Sequence, residues 1–215
     1  LPHPCVNLVT EHDLVALHGM PLSRGSKRLK GTATATGTKL RPGALTALTG
    51  RPARAFVDVS APLAVVFGER GLALERRLAE TAGDPASHNG AVERFLRDRR
   101  PEPDPRFELL REVVADMLAA DRALTVADFA RRHALSQRTL QRLFRDYVGV
   151  PPKWVLKRYR MHEAAERIAA GEAPDGAALA LDLGYFDQSH FIRDFTAQIG
   201  VSPSAYERAC VAAAA

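Results

Sequence analysis

Two stretches in the last third of the chain carry the same alternation of apolar and polar positions. From 137 to 148 the apolar residues Leu140, Leu143, Phe144, Tyr147 and Val148 recur at spacings of three and four, which turns one stripe of a helix toward a core. The opposite stripe is polar, with Arg138, Gln141, Arg142 and Arg145 at i, i+3, i+4 and i+7. From 188 to 199 the buried stripe is Phe191, Phe195 and Ile199, and Gln188, Ser189, Ile192 and Arg193 are left outward. Laid over one another without a gap, 136–152 and 187–203 match at Gln137/Gln188, Arg142/Arg193, Phe144/Phe195, Gly149/Gly200, Val150/Val201 and Pro152/Pro203.

The ends of both stretches are marked. Ser136 and Asp187 are N-cap residues whose oxygens can accept from an amide of the first turn. Gly149 and Gly200 suit the left-handed position past a helix end, and a proline follows each within three residues. Upstream of the first lies TVADFARRH (125–133), with Thr125 and Asp128 spaced as a capping box, then a short connection from His133 to Leu135. Upstream of the second, APDGAALALDLGYFDQ (173–188) has the same role, with Gly184 at its turn. Both pairs predict helix-turn-helix units, at about 125–148 and 176–199. Arginine can pair bidentately with guanine and glutamine with adenine, so the outer faces carry the side chains of major-groove readout. Two amphipathic helices with basic outer faces are, taken alone, as often plain solvated surface; the gapless repeat and its turn chemistry favour DNA.

Earlier in the chain the period changes. Short runs rich in β-formers, CVNLVT (5–10), LVALHG (14–19) and GTATATGTKL (31–40), predict small antiparallel strands within 1–66, and RPGALTALTG (41–50) a turn leading into a helical turn. Helical spacing returns over 69–98, where Leu72, Leu74, Leu78, Val92, Phe95 and Leu96 supply the apolar positions and Gly83-Asp84-Pro85 a break. The charged, proline-rich RDRRPEPDP (97–105) is the linker candidate. After it, Asp104 as cap and Pro105 as first residue open a helix with Phe107, Leu110, Val113, Val114, Met117 and Leu118 on one stripe. The expected fold is α+β: a small strand-containing N-terminal domain (1–100), a linker (101–105), and an all-α C-terminal domain (106–215) of two helix-turn-helix units joined by a long helix.

Charge sharpens this picture by location rather than by total. The whole chain has 30 Lys and Arg against 25 Asp and Glu, a net +5 that only weakly suggests a polyanionic partner. Between 131 and 160, however, nine basic residues face one acid, Asp146. Such a strip across a helix-turn-helix is the footprint of phosphate neutralisation.

At these residues the chain resembles a known family. The string ALDLGYFDQSHFIRDFTAQIGVSPSAY (180–206), preceded by LSQRTLQRLFRDYVGVPPKWVLKRYRMHEAAERI (135–168), resembles the DNA-binding module of AraC/XylS-type transcription regulators, over roughly 108–208. The resemblance implies a linker helix over about 152–170 that sets two recognition helices into successive major grooves, roughly 34 Å apart. It implies base contacts from Arg138, Gln141 and Arg142 in the first unit and from Gln188, Ser189 and Arg193 in the second. Gln137, Arg145, Lys153 and Lys157 are placed for phosphate contacts. The helix before the second turn departs from the family pattern, with Pro174-Asp175-Gly176-Ala177-Ala178 where isoleucine or valine is usual. GTKLRPGAL (37–45) is similar to a small domain found upstream of this module in one group of bacterial regulators, which implies sensing or pairing. The implied partners are double-stranded operator DNA, a small-molecule effector, and RNA polymerase if the protein activates.

Other chemistries find little footing. His3, His12 and His18 lack the spacing of a metal site, and His88, His133, His162 and His190 form no cluster. There is no phosphate-cradling glycine loop, nucleophile elbow or paired cysteine site, so no cofactor and no enzyme activity is expected. Cys5 and Cys210 lie near opposite ends and predict no structural disulfide. No apolar run approaches the roughly 20 residues that span a bilayer, and no charged leader precedes an apolar stretch, so a cytoplasmic location without membrane contact is expected. The chain opens on Leu1 and not Met, so part of a natural N-terminus is expected to be missing. The alternative from another class is a ligand-binding or catalytic N-terminal domain held on DNA by a weakly specific module.

Overall fold

The computed structural model describes residues 3–11, 14–22, 35–81, 84–99, 101–120, 123–173 and 175–214. His12, positions 31–34 of the third expected strand, Gly83, Arg100 and Pro174 lie outside them. Backbone contacts divide the chain into two compact units. One holds the described residues up to Glu112 together with Arg142–Val150; the other holds Val113–Gln141 and the chain from Pro151 onward.

The first unit is built on a four-stranded antiparallel sheet. Strands β1 (Asn7–Glu11), β2 (Leu14–His18), β3 (Ala35–Lys39) and β4 (Ser60–Pro62) lie in the order β3-β1-β2-β4. Alternation sets the register: β1 turns Leu8 and Thr10 inward, and Leu8 pairs with Leu17 on one side and Thr38 on the other. The three sequence segments each yield a strand, whereas β4 carries only three residues, too few to show a period. The helical turn expected after Gly43 is α1 (Ala44–Thr49), followed by a 3-10 turn (Ala53–Phe56) and the short α2 (Leu63–Phe67).

Two longer helices complete this unit, α3 (Glu69–Glu80) and α4 (Pro85–Asp98). Asp84 caps α4 by accepting from the amides of Ala86 and Ser87, so the expected break is a helix start. The core gathers Leu8, Leu17, Leu45, Phe56, Leu63 and Leu78 around Phe67, whose ring stands edge-on to Phe95 at 5.1 Å. Leu72, expected to be inward, is exposed, and Leu74 and Leu78 are the positions of α3 that face the core.

Histidine 88 of α4 is 1% exposed and its Nε2 has no hydrogen-bond partner among the described residues. Burial holds its imidazole below the usual histidine value of 6.5. The unfolded chain therefore takes up a proton near pH 6.5 that the folded chain refuses. Stability from this site is whole above that pH and declines below it, by at most about 1.4 kcal/mol per pH unit. Urea unfolding between about pH 7.5 and pH 5.5 should show the wild type losing stability relative to His88→Leu; parallel curves would mean the proton is accommodated.

In the second unit the helices are the later part of α5 (Pro105–Ala119), then α6 (Val126–Arg132), the first residues of α7 (Gln137–Tyr147), α8 (Pro152–Ala169), α9 (Gly176–Asp182), α10 (Gln188–Ile199) and α11 (Pro203–Ala214). On α5, Leu110, Val113, Val114 and Met117 are buried as the stripe predicts, but Leu118 is exposed. The core of this unit joins Met161, Ala164 and Ile168 of α8 to Leu179, Phe191 and Phe195 of α9 and α10. Tyr185, Phe191, Phe195 and Tyr206 follow one another with ring centroids 5.6 to 5.7 Å apart. Among the described residues no helix is long and apolar enough to cross a membrane.

Candidate nucleic-acid interface

Both helix-turn-helix units start where their side-chain chemistry predicts. Thr125 accepts from the Asp128 amide at 3.3 Å while Asp128 accepts from the Thr125 amide at 2.7 Å, a complete capping box on α6. Ser136 accepts from the Thr139 amide at 3.0 Å at the head of α7, and Asp187 from the His190 amide at 2.7 Å at the head of α10. The turns differ in one respect. In the second, Gly184 takes the left-handed conformation at φ 72°; in the first, Ala134 takes it at φ 53°, a position that glycine fills more readily.

On α7 the buried residues are Leu140, Leu143, Phe144 and Tyr147, and Gln137, Arg138, Gln141, Arg142 and Arg145 are exposed. The expected base-contact residues of this helix are thus all in solvent. Arg138 and Arg142 have no ion-pair partner among the described residues, so neither cation is neutralised in advance. On α10 Gln188, Ser189 and Arg193 are also exposed. The Arg193 Nε donates to the Ser189 carbonyl at 3.4 Å, which lays its chain along the helix surface. A Cβ placed on Gly176 would meet the Gln188 amide nitrogen at 2.8 Å, so this side chain rests against the start of α9.

The basic strip is thinner in space than in sequence. Arg158 is 5% exposed, stacked on Trp154 at 4.4 Å, with its charge disfavoured by burial. Lys157 donates to Asp194 at 2.6 Å, and the Tyr185 hydroxyl donates to the other Asp194 oxygen at 3.2 Å. Burial, then the Asp194 charge, raises the Tyr185 hydroxyl far above the ordinary tyrosine range. A phosphate would have to draw Lys157 from this pairing. Lys153, by contrast, is exposed and has no ion-pair partner among the described residues.

One side chain was not singled out from sequence. Phe186, between the turn and the Asp187 cap, is 93% exposed beside the outward face of α10. Its signal in the sequence is an aromatic at the N′ position of α10, directly before the Asp187 cap.

The residues from Arg142 to Val150 pack within the first unit. Asp146, the one acid of the basic strip, receives Arg106 at 3.0 Å and Arg54 at 3.3 Å, and the Thr46 hydroxyl donates to its carbonyl at 3.2 Å. Tyr147 donates to Asp104, and its hydroxyl is pushed up to about 12 by burial and by that carboxylate. Gly149, at φ 94°, lies so close to the 3-10 turn that a Cβ would sit 2.7 Å from Val57 and 3.1 Å from Ala53.

Residues 129–209 match the family described as a helix-turn-helix domain, and residues 1–62 match one described as a domain of unknown function (DUF6597). A protein of Streptomyces antibioticus whose name includes the words AraC-like transcription regulator is 34% identical over 84 residues, 39% of this chain and 27% of that protein. The C-terminal part of this chain is an AraC-type helix-turn-helix domain. A probable thc operon regulatory protein of Rhodococcus erythropolis is 33% identical to the chain over 118 residues, 53% of this chain and 36% of that protein. The chain thus spans about a third of the length of these curated relatives. Among solved structures, a transcriptional regulator of the AraC-type DNA-binding class from Chromobacterium violaceum aligns with a TM-score of 0.44 at 23% identity, covering 48% of this chain and 92% of that one. The AraC-type domain includes α7, α8 and α10, where every expected base-contact residue stands.

Among the described residues no cluster of His, Cys, Asp and Glu could hold a metal ion.

Proposed function

We propose that this chain is a sequence-specific DNA-binding transcription regulator whose α7 and α10 read base edges in successive major grooves. The observation that carries the reading is the repeat itself: each helix is capped at its start, anchored by buried phenylalanines, and leaves arginine and amide side chains in solvent. Helix α8, with 18 residues, spans about 27 Å, a length of the order of one duplex turn. Arg138, Gln141, Arg142, Gln188, Ser189 and Arg193 contact bases, and Phe186 is available to a thymine methyl. Gln137, Arg145 and Lys153 contact phosphates, and Lys157 joins them when it leaves Asp194. The N-terminal part senses a small molecule or mediates self-association, and RNA polymerase is a partner if the protein activates. A protein with these partners works in the cytoplasm.

Selection of bound duplexes from a random library by the full chain, at one stated salt concentration, tests the reading. A two-part motif with halves about one helical turn apart is the expected result. Specific over random discrimination well below about 10³ would instead favour a domain merely held on DNA. On the selected site, Arg142→Ala and Arg193→Ala should each cost about 1 to 3 kcal/mol at one base position. Equal weakening on every sequence would make that residue a phosphate contact.

A further inference from the structure

Helices α3 and α4 flank an open cleft of about 870 Å³, a size that accepts a small organic molecule. Its two walls are single helix faces. Arg70, Ala73, Leu74 and Arg77 recur at i, i+3, i+4 and i+7 on α3, and Ser87, Gly90, Ala91, Arg94 and Asp98 follow the same period on α4. Small side chains at mid-length, Ala73, Gly90 and Ala91, leave the space open, and Leu74 and Phe95 add apolar surface. The charge is one-sided: four arginines, counting Arg99, against Asp98.

These arginines differ in what already holds them. Arg77 is paired with Glu80 at 3.2 Å. Arg70 and Arg94 have no ion-pair partner among the described residues. Arg99 is fixed by its surroundings, over the rings of Phe67 and Phe95 at 4.9 and 5.7 Å and donating to the Leu48 carbonyl at 3.2 Å. Its Nε is buried and has no acceptor among the described residues. A cation immobilised against aromatic rings, with two unneutralised guanidinium groups lining the same half-polar, half-apolar cleft, is suited to a carboxylate on an apolar body.

We propose that the α3/α4 cleft is a binding site for a small organic carboxylate with an apolar body of ring or acyl-chain type, held by Arg70 and Arg94 with Arg99 behind them. This rests on the reading of the N-terminal part as a sensing domain and names its site. Nucleic acid would need a continuous cationic surface and has no use for the apolar lining, so a small molecule is the better match.

Isothermal titration of the full chain with 2-naphthoate and with decanoate tests the site. At least one should bind saturably, with 2-naphthalenemethanol, the uncharged analogue, about tenfold weaker or more. Arg70→Gln/Arg94→Gln should weaken the carboxylate about tenfold or more. Gly90→Phe fills the cleft from a position where a Cβ meets nothing within 4 Å, and should abolish binding without lowering the melting temperature. No saturable binding of either carboxylate at millimolar concentration, or equal binding by the double variant, overturns the proposal. So does a double variant that loses DNA affinity while binding 2-naphthoate normally, since its arginines would then serve the phosphate backbone. Failure of the regulator reading shows separately, as the absence of a selected DNA motif whatever the carboxylates do.

Discussion

Phe195→Ala is expected to cost about 3 to 5 kcal/mol, the range for emptying a fully buried aromatic site. Phe195 is 0% exposed and lies 5.7 Å from both Phe191 and Tyr206, in the core shared by α8, α9 and α10. The relaxation that would soften the loss is limited, because the surrounding rings are themselves packed edge to face. Since a domain of this size is stable by only about 5 to 15 kcal/mol, much of the margin disappears. Thermal unfolding followed by circular dichroism measures it. A change below about 1 kcal/mol would mean that the aromatic row closes over the gap. On DNA, the same variant should lose the half-site read by α10 before the one read by α7.

Gly149→Val should be nearly as damaging for a different reason. At φ 94° a β-branched residue is strained by about 1 to 2 kcal/mol, and its Cβ would meet Val57 at 2.7 Å and the Ala53 backbone at 3.1 Å, adding about 1 to 3 kcal/mol of overpacking. Gly171 separates the two contributions. It has φ 72° and nothing within 4 Å of its Cβ position, so Gly171→Val carries the strain alone. Urea unfolding of both variants should place Gly149→Val about 1 to 3 kcal/mol below Gly171→Val. Equal losses would show that the 3-10 turn yields to the new side chain.

Much of the C-terminal fold was legible because its signals are local. The Thr125–Asp128 box, the Ser136 and Asp187 caps and the glycines past α7 and α10 act within one helix turn, so four consecutive residues suffice to read them. The apolar stripes were legible for the same reason, with two exceptions: Leu118 has the stripe's spacing but is exposed, and Leu72, two residues before Leu74, lies on nearly the opposite side of α3. What spacing cannot convey is which distant group a charge will find. Arg158 counts as a cation in the linear strip but is stacked on Trp154 in a buried place, and Lys157 is held by an aspartate 37 positions away. Of the candidate site, the outward set on α7 and α10 was readable from amphipathic period, but the thinning of the surrounding charge was not. In the N-terminal part β-propensity located three strands, whereas β4 was too short to announce itself.

The grouping of Arg142–Val150 with the N-terminal residues bears on how this protein can be divided. Proline-rich residues 101–105 invite a cut, yet such a cut would orphan the end of α7: Asp146 would lose Arg54 and Thr46, and Gly149 would lose the turn it rests on. An excised C-terminal half would therefore lack the groups that hold the end of the helix carrying Arg142.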